Sequence, residues 1–82
     1  MHYVATFHTH LSAMLTCQAL QGSAVAARMT PVPRALSSSC GTCVRYEGEG
    51  AHRELLDADA EALYEVRGTE EYRLLWRDDT NP

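Results

Sequence analysis

Lysine is absent from this chain of 82 residues, so its seven cationic side chains are all arginine, set against eleven acids. The formal charge of -4 excludes the broad cationic face on which non-specific nucleic-acid binding depends. Long apolar runs are missing too: none reaches the roughly 18 residues that cross a bilayer, and no basic leader ahead of an apolar stretch opens the chain. A cytoplasmic protein with neither nucleic-acid nor membrane partners is therefore expected. Repeats and low-complexity tracts are also lacking. The 45% hydrophobic and 22% charged fractions are those of an ordinary folding domain. A chain this short buries only about 60–65% of the surface its unfolded state exposes, which leaves room for one domain, expected over residues 1–77, and a shallow site. The tail 78–82 is expected to fray.

Residues 3–7, aromatic and β-branched in rough alternation, predict a strand. Thr9 to Gln21 predicts a helix, with Thr9 or Ser12 as its cap and Gly22 as the residue able to turn left-handed at its end. Leu11, Met14 and Leu15 share a face of it, Gln18 interrupts that face and Leu20 points away. Ala24–Thr30 predicts a second strand closed by Pro31 and Pro33, and 42–47 a third. Ala51–Val66, with Leu55, Leu56 and Leu63 among alanines and acids, predicts a second surface helix after Gly48 and Gly50. Arg67–Thr69 turns the chain, and Tyr72–Trp76 predicts a last strand. The order βαββαβ gives an expected ferredoxin-like α+β sandwich, an antiparallel sheet with both helices on one face. Its edge strands offer pairing to a second copy of the chain, a homodimer.

Chemistry concentrates in the long connection 31–41. Cys40 stands among Ser37, Ser38, Ser39 and Gly41, six residues after Arg34. Nearby cations and donated hydrogen bonds favour the thiolate, the reactive form of cysteine, so Arg34 and the serines could activate Cys40, while Gly41 permits unusual backbone angles and close approach. Cys43 completes a CxxC spacing. A second thiol there could resolve a mixed disulfide or persulfide, or chelate a soft metal together with Cys40. Read instead as a strand residue, Cys43 is a buried small hydrophobe. A structural zinc centre needs four ligands, and Cys17, His8, His10 and His52 supply no second close pair beyond His8 and His10. Cys17 reads as a core residue of the first helix. His8 and His10 sit where the first strand meets that helix, able to face a ligand or only to cap and solvate. Glu47, Glu49, Asp57, Asp59, Glu61, Glu70 and Glu71 show no paired-carboxylate spacing and read as solvated surface.

Pro31-x-Pro33-Arg34, Ser38-Ser39-Cys40-Gly41, and Phe7-x-Thr9-His10 with Ala13-Met14 ahead of Gly22 together resemble the DUF3343 family of small bacterial proteins, described as Se/S carrier-like. The resemblance covers about the first fifty residues. It implies that Cys40 is a carrier thiol, with Gly41 and the serines shaping its loop and Arg34 beside it. The expected function is then sulfur or selenium carriage. Cys40 would take the atom from a donor such as a cysteine desulfurase, hold it as a persulfide or selenosulfide, and pass it to an acceptor protein. Cys43 would assist release, and Arg34, Ser38, Ser39, Gly41 and His10 would line the site. Such a chain is a covalent carrier more than a turnover enzyme, and no cofactor is expected. The alternative is a soft-metal-binding or dithiol redox module built on Cys40 and Cys43.

Overall fold

His2–Phe7 alternates aromatic and β-branched residues and forms β1, the central strand of the sheet. A computed structural model describes residues 1–78 of the chain. From Tyr3 to Phe7 every side chain of β1 is buried, because β1 has a strand on each side and apolar neighbours on both faces. Thr9, in an extended conformation, caps the next element by accepting a 3.1 Å hydrogen bond from Ser12 N, and α1 runs from His10 to Gly22. Its inner face is Ser12, Ala13, Thr16, Cys17 and Leu20, mostly small residues that let the helix lie close to the sheet. Leu11, Met14 and Leu15 face outward and are exposed. The helix stops one residue later than the sequence suggests. Gly22 is its last residue, and Ala24 takes the left-handed conformation, with φ 63°. Val25 N donates to Leu20 O at 2.9 Å and Ala24 N to Gln21 O at 3.1 Å, and the Val25 and Leu20 side chains meet in the core.

Ala26–Pro31 forms β2 and Thr42–Glu47 forms β3. Pro31 is part of β2 instead of lying beyond it, which is allowed because β2 is an edge strand and needs no outward donor.

The second half of the chain differs from expectation. There is no second helix among the described residues. Residues 51–59 form a loop containing one 3₁₀ turn, Arg53–Leu55, and Ala60–Gly68 is a nine-residue strand, β4, followed by Glu71–Arg77, β5. The fold is therefore one five-stranded antiparallel sheet, order β2-β3-β1-β4-β5, under a single helix, and not a ferredoxin-like sandwich. Two causes are visible. Asp57 stops any helix locally: its carboxylate accepts from Asp59 N and from Ser12 Oγ, and its own N–H donates to Thr16 Oγ1, which fastens the loop to α1. Further on, β1 needs a partner on its second edge. Ala62, Leu63 and Tyr64 supply it and are buried in doing so. Glu70, at φ 60°, turns the chain between β4 and β5. The last strand thus begins at Glu71, after a turn shifted by one to two residues from the expected one.

The main core lies between α1 and the sheet. Tyr3, Ala5, Phe7, Val44, Tyr46 and Leu63 pack beneath Ala13, Cys17 and Leu20, and the rings of Tyr3 and Tyr46 stack with centroids 5.3 Å apart. The Tyr46 hydroxyl donates to Ala51 O, and the Arg53 guanidinium lies 4.3 Å over the Trp76 ring, so the 51–59 loop is pinned where the second helix was expected. On the opposite face Val4, Thr6, Cys43, Ala62 and Tyr64 are buried under long side chains, with Arg45 donating to the Tyr72 hydroxyl and Arg77 to the Tyr64 hydroxyl. Asp78 N donates to Glu61 O at 2.9 Å, so the start of the expected frayed tail is attached to β4. Residues 79–82 of that tail lie outside the described residues. No helix among the described residues is long and apolar enough to cross a membrane.

Candidate functional site

The connection between β2 and β3 is closed at its base by Val32 N donating to Gly41 O at 3.1 Å, and a turn at Leu36 N to Pro33 O folds its tip. It then runs back over the junction of β1 and α1. Ser38 Oγ donates to the carbonyl of Phe7, the last residue of β1, at 2.9 Å. Thr42 Oγ1 lies 3.3 Å from Nδ1 of His10, the first residue of α1. Cys40 sits between these two anchors. Gly41 makes the corner with φ 75°, a conformation that costs other residues about 1–2 kcal/mol.

Cys40 is half-buried and packs against the α1-side core, and its Sγ donates to Thr42 O at 3.4 Å, with Ser38 Oγ 3.9 Å away. Cys43, three residues on, is fully buried on the other face of β3, the face opposite Val44 and Tyr46. Its Sγ lies 3.2 Å from Thr30 Oγ1, its cross-strand neighbour. Burial pushes the Cys43 thiol above its ordinary pKa, against the smaller downward pull of the Thr30 hydrogen bond and of Arg45. Cys17 is buried under α1, and its thiol is pushed up for the same reason. All three cysteines are free; Cys17 and Cys43 are buried, and Cys40 is partly exposed.

A second set of contacts holds the loop from the side. Ser39 donates twice to the Glu61 carboxylate, from its N–H at 3.3 Å and from Oγ at 2.7 Å. The same carboxylate lies 3.5 Å from His8 Nδ1, and His8 Nε2 lies 3.4 Å from the Asp78 carboxylate. All three side chains are less than one-fifth exposed. Glu61 reaches the loop because the β1–β4 ladder skips it: Thr6 pairs with Ala62 and Phe7 with Ala60, which leaves Glu61 as the extra residue of a β-bulge. Bulges commonly re-aim a side chain in this way.

Of the residues singled out in the sequence, Cys40, Ser38, Ser39 and Gly41 form one site, and His10 joins it through Thr42. Arg34 does not: it is exposed at the loop tip, and no hydrogen bond or ion pair joins it to the thiol among the described residues. Cys43 is buried on the face of β3 away from the core that Cys40 packs against, although the two thiols are near enough for Cys40 to add a small upward push to the Cys43 pKa. Glu61, Thr42 and Asp78 escaped the sequence reading, and His8 entered it only as a ligand or capping candidate. For Glu61 no local signal was present: Glu61 and Glu65 stand four apart with apolar residues at 62, 63, 64 and 66, a spacing that fits a helix as well as a strand.

The family model described as putative Se/S carrier protein-like matches residues 2–68. The chain belongs to that family. Comparison with curated proteins and with solved structures gave no match. The part matched by the Se/S carrier-like family contains the whole Cys40 loop, its anchors on β1 and α1, and Glu61.

Proposed function

We propose that this Se/S carrier-like chain holds sulfane sulfur or selenium on Cys40 and delivers it to an acceptor protein. One observation carries the reading: of three free thiols, Cys40 alone is accessible, and it lies on a loop fastened on both sides of the sulfur. In the loading step the Cys40 thiolate attacks the outer sulfur of a donor persulfide. An S–S bond forms at Cys40, the donor's S–S bond breaks, and the donor leaves as a thiolate that takes up a proton. In delivery an acceptor thiolate attacks the outer sulfur of the Cys40 persulfide, and Cys40 is released as a thiolate. Each step exchanges one sulfur–sulfur bond for another, so no outside oxidant or reductant is required. A selenium atom follows the same course through a selenosulfide.

The protein's contribution is placement. Ser38 and Thr42 hold the backbone around Cys40, Glu61 holds Ser39, and the left-handed Gly41 turns the chain next to Cys40 with open space on its own outer side. The exposed Leu11, Met14 and Leu15 of α1, which begin one residue after His10, offer donor and acceptor proteins an apolar surface near the loop. A cytoplasmic, reducing setting suits three unpaired thiols. Delivery from Cys40 alone is favoured over a two-thiol scheme, because Cys43 is buried on the far side of β3.

Intact-mass measurement after incubation with a cysteine desulfurase and cysteine tests the proposal. The wild type should gain the mass of one sulfur atom and lose it to an acceptor thiol protein. Cys40→Ser should gain nothing, and Cys43→Ser should still load and deliver. Loading that persists in Cys40→Ser would overturn the assignment.

A further inference from the structure

The face of the sheet away from α1 carries a feature that sulfur carriage does not use. Arg28 of β2 and Arg45 of β3 are directly opposite each other in the antiparallel ladder. Like charges at such positions repel, and folded proteins usually place a carboxylate between or beside them. None is within ion-pair distance of either guanidinium among the described residues. Among the described residues Arg45 donates only to the Tyr72 hydroxyl, at 3.3 Å. In a chain with a formal charge of -4 this is a local concentration of positive charge.

The two arginines line a cavity of about 350 Å³, shared with His2 and Glu47 at its end. Glu47 forms no ion pair with either arginine among the described residues. Its carboxylate is turned to His2, 3.8 Å from Nδ1. A cavity at the low end of the usual range for small-ligand sites suits a small molecule better than a macromolecule. Arginine in particular matches the paired oxygens of phosphate and carboxylate groups, because its planar guanidinium donates two parallel hydrogen bonds.

We propose that Arg28 and Arg45 form a binding site for a small ligand with a dianionic oxyanion head, a phosphate or phosphate monoester, on the sheet face opposite α1. The anion sits between the two guanidinium groups and cancels their repulsion. Cys40 packs on the other side of the sheet, so the site is separate from the carrier thiol.

An amide-resolved NMR titration of the full chain tests this, with inorganic phosphate in one arm, glycerol phosphate in a second, and chloride at matched ionic strength as the control. Saturable shifts confined to 26–30 and 43–47 are expected with phosphate and absent with chloride. Tighter binding of glycerol phosphate assigns the site to an organic phosphate, and equal binding assigns it to the phosphate group itself. Arg28→Gln and Arg45→Gln should each weaken binding on the order of tenfold while the remaining resonances stay in place, which shows that the fold is intact. Shifts that fail to saturate, that scatter over the surface, or that survive in the double variant overturn the proposal. Sulfur loading on Cys40 is read separately by mass, so either conclusion can fail alone.

Discussion

Replacing Glu61 by Ala removes the one side chain that fastens the flank of the Cys40 loop to the sheet. Ser39 loses two hydrogen bonds to a charged acceptor, at 2.7 and 3.3 Å, and His8 loses one of its two carboxylate neighbours. A hydrogen bond to a charged group contributes about 1.5–3 kcal/mol where water is excluded. Here Ser39 is exposed and the carboxylate is partly solvated, so the contribution of the pair is discounted to about 1–2 kcal/mol. If all of that energy resists local opening of the loop, opening rises by about 5–30-fold, which sets the upper bound. Two assays read the result. Hydrogen exchange of the Ser39 and Val32 amides, which are bonded to Glu61 and to Gly41 O in the closed loop, should accelerate by up to that factor, and Tm should fall by roughly 4–8 °C for each kcal/mol lost from the folded state. Glu61→Gln retains an acceptor for Ser39 Oγ without the charge and should fall between the wild type and Glu61→Ala. Amide exchange rates and a Tm both unchanged in Glu61→Ala would refute the clamp.

Native wild-type protein should label rapidly at one thiol, Cys40, with Cys17 and Cys43 reacting only on unfolding, and mass mapping of the labelled peptides checks it. Thr6 Oγ1 is buried and has no hydrogen-bond partner among the described residues, so Thr6→Val, which exchanges the hydroxyl for a methyl, should stabilise the fold by about 1 kcal/mol in chemical denaturation. Ala24→Gly removes a left-handed alanine at the end of α1 and should raise stability by about 0.5–1 kcal/mol after the larger unfolded-state entropy of glycine is subtracted, again by denaturant midpoint. Raised thiol pKa values at Cys43 and Cys17 have a defined sign. Below about pH 8.5 both folded and unfolded states keep these protons and stability does not depend on them. Above that range the unfolded thiols ionise first, so stability falls as pH rises towards the folded-state values, and the buried Tyr46 adds to the fall above about pH 10. Cys43→Ala should flatten this alkaline slope while lowering stability overall.

Some of this protein is set by neighbours in the chain. β1, β2 and β3 follow from short-range alternation, and α1 starts at its Thr9 cap, because each depends on residues within a turn or two. The Cys40 loop is legible for a similar reason. Prolines end β2, serines and glycine cannot hold a regular element, and a thiol among them is a chemical signal in itself.

What the sequence left open was decided by contacts distant in the chain. Residues 51–66 have the composition of a helix, yet the exposed edge of β1 and the grip of Asp57 on α1 make them a loop and a strand, a gain in burial that local propensity cannot report. The three-residue spacing of Cys40 and Cys43 suggests a pair. β3 begins at Thr42, so strand register fixes only Cys43, on the face away from α1, while Cys40 lies in the loop before the strand and packs on the α1 side. Glu61 reads as one acid among many until the bulge opposite Thr6 and Phe7 brings it to the loop that docks on the Phe7 carbonyl. The facing of Arg28 and Arg45 likewise exists only through the β2–β3 register. The chain by itself thus determines its local elements and the loop that carries Cys40, whereas pairing register, a property of two segments at once, decides which side chains surround that thiol.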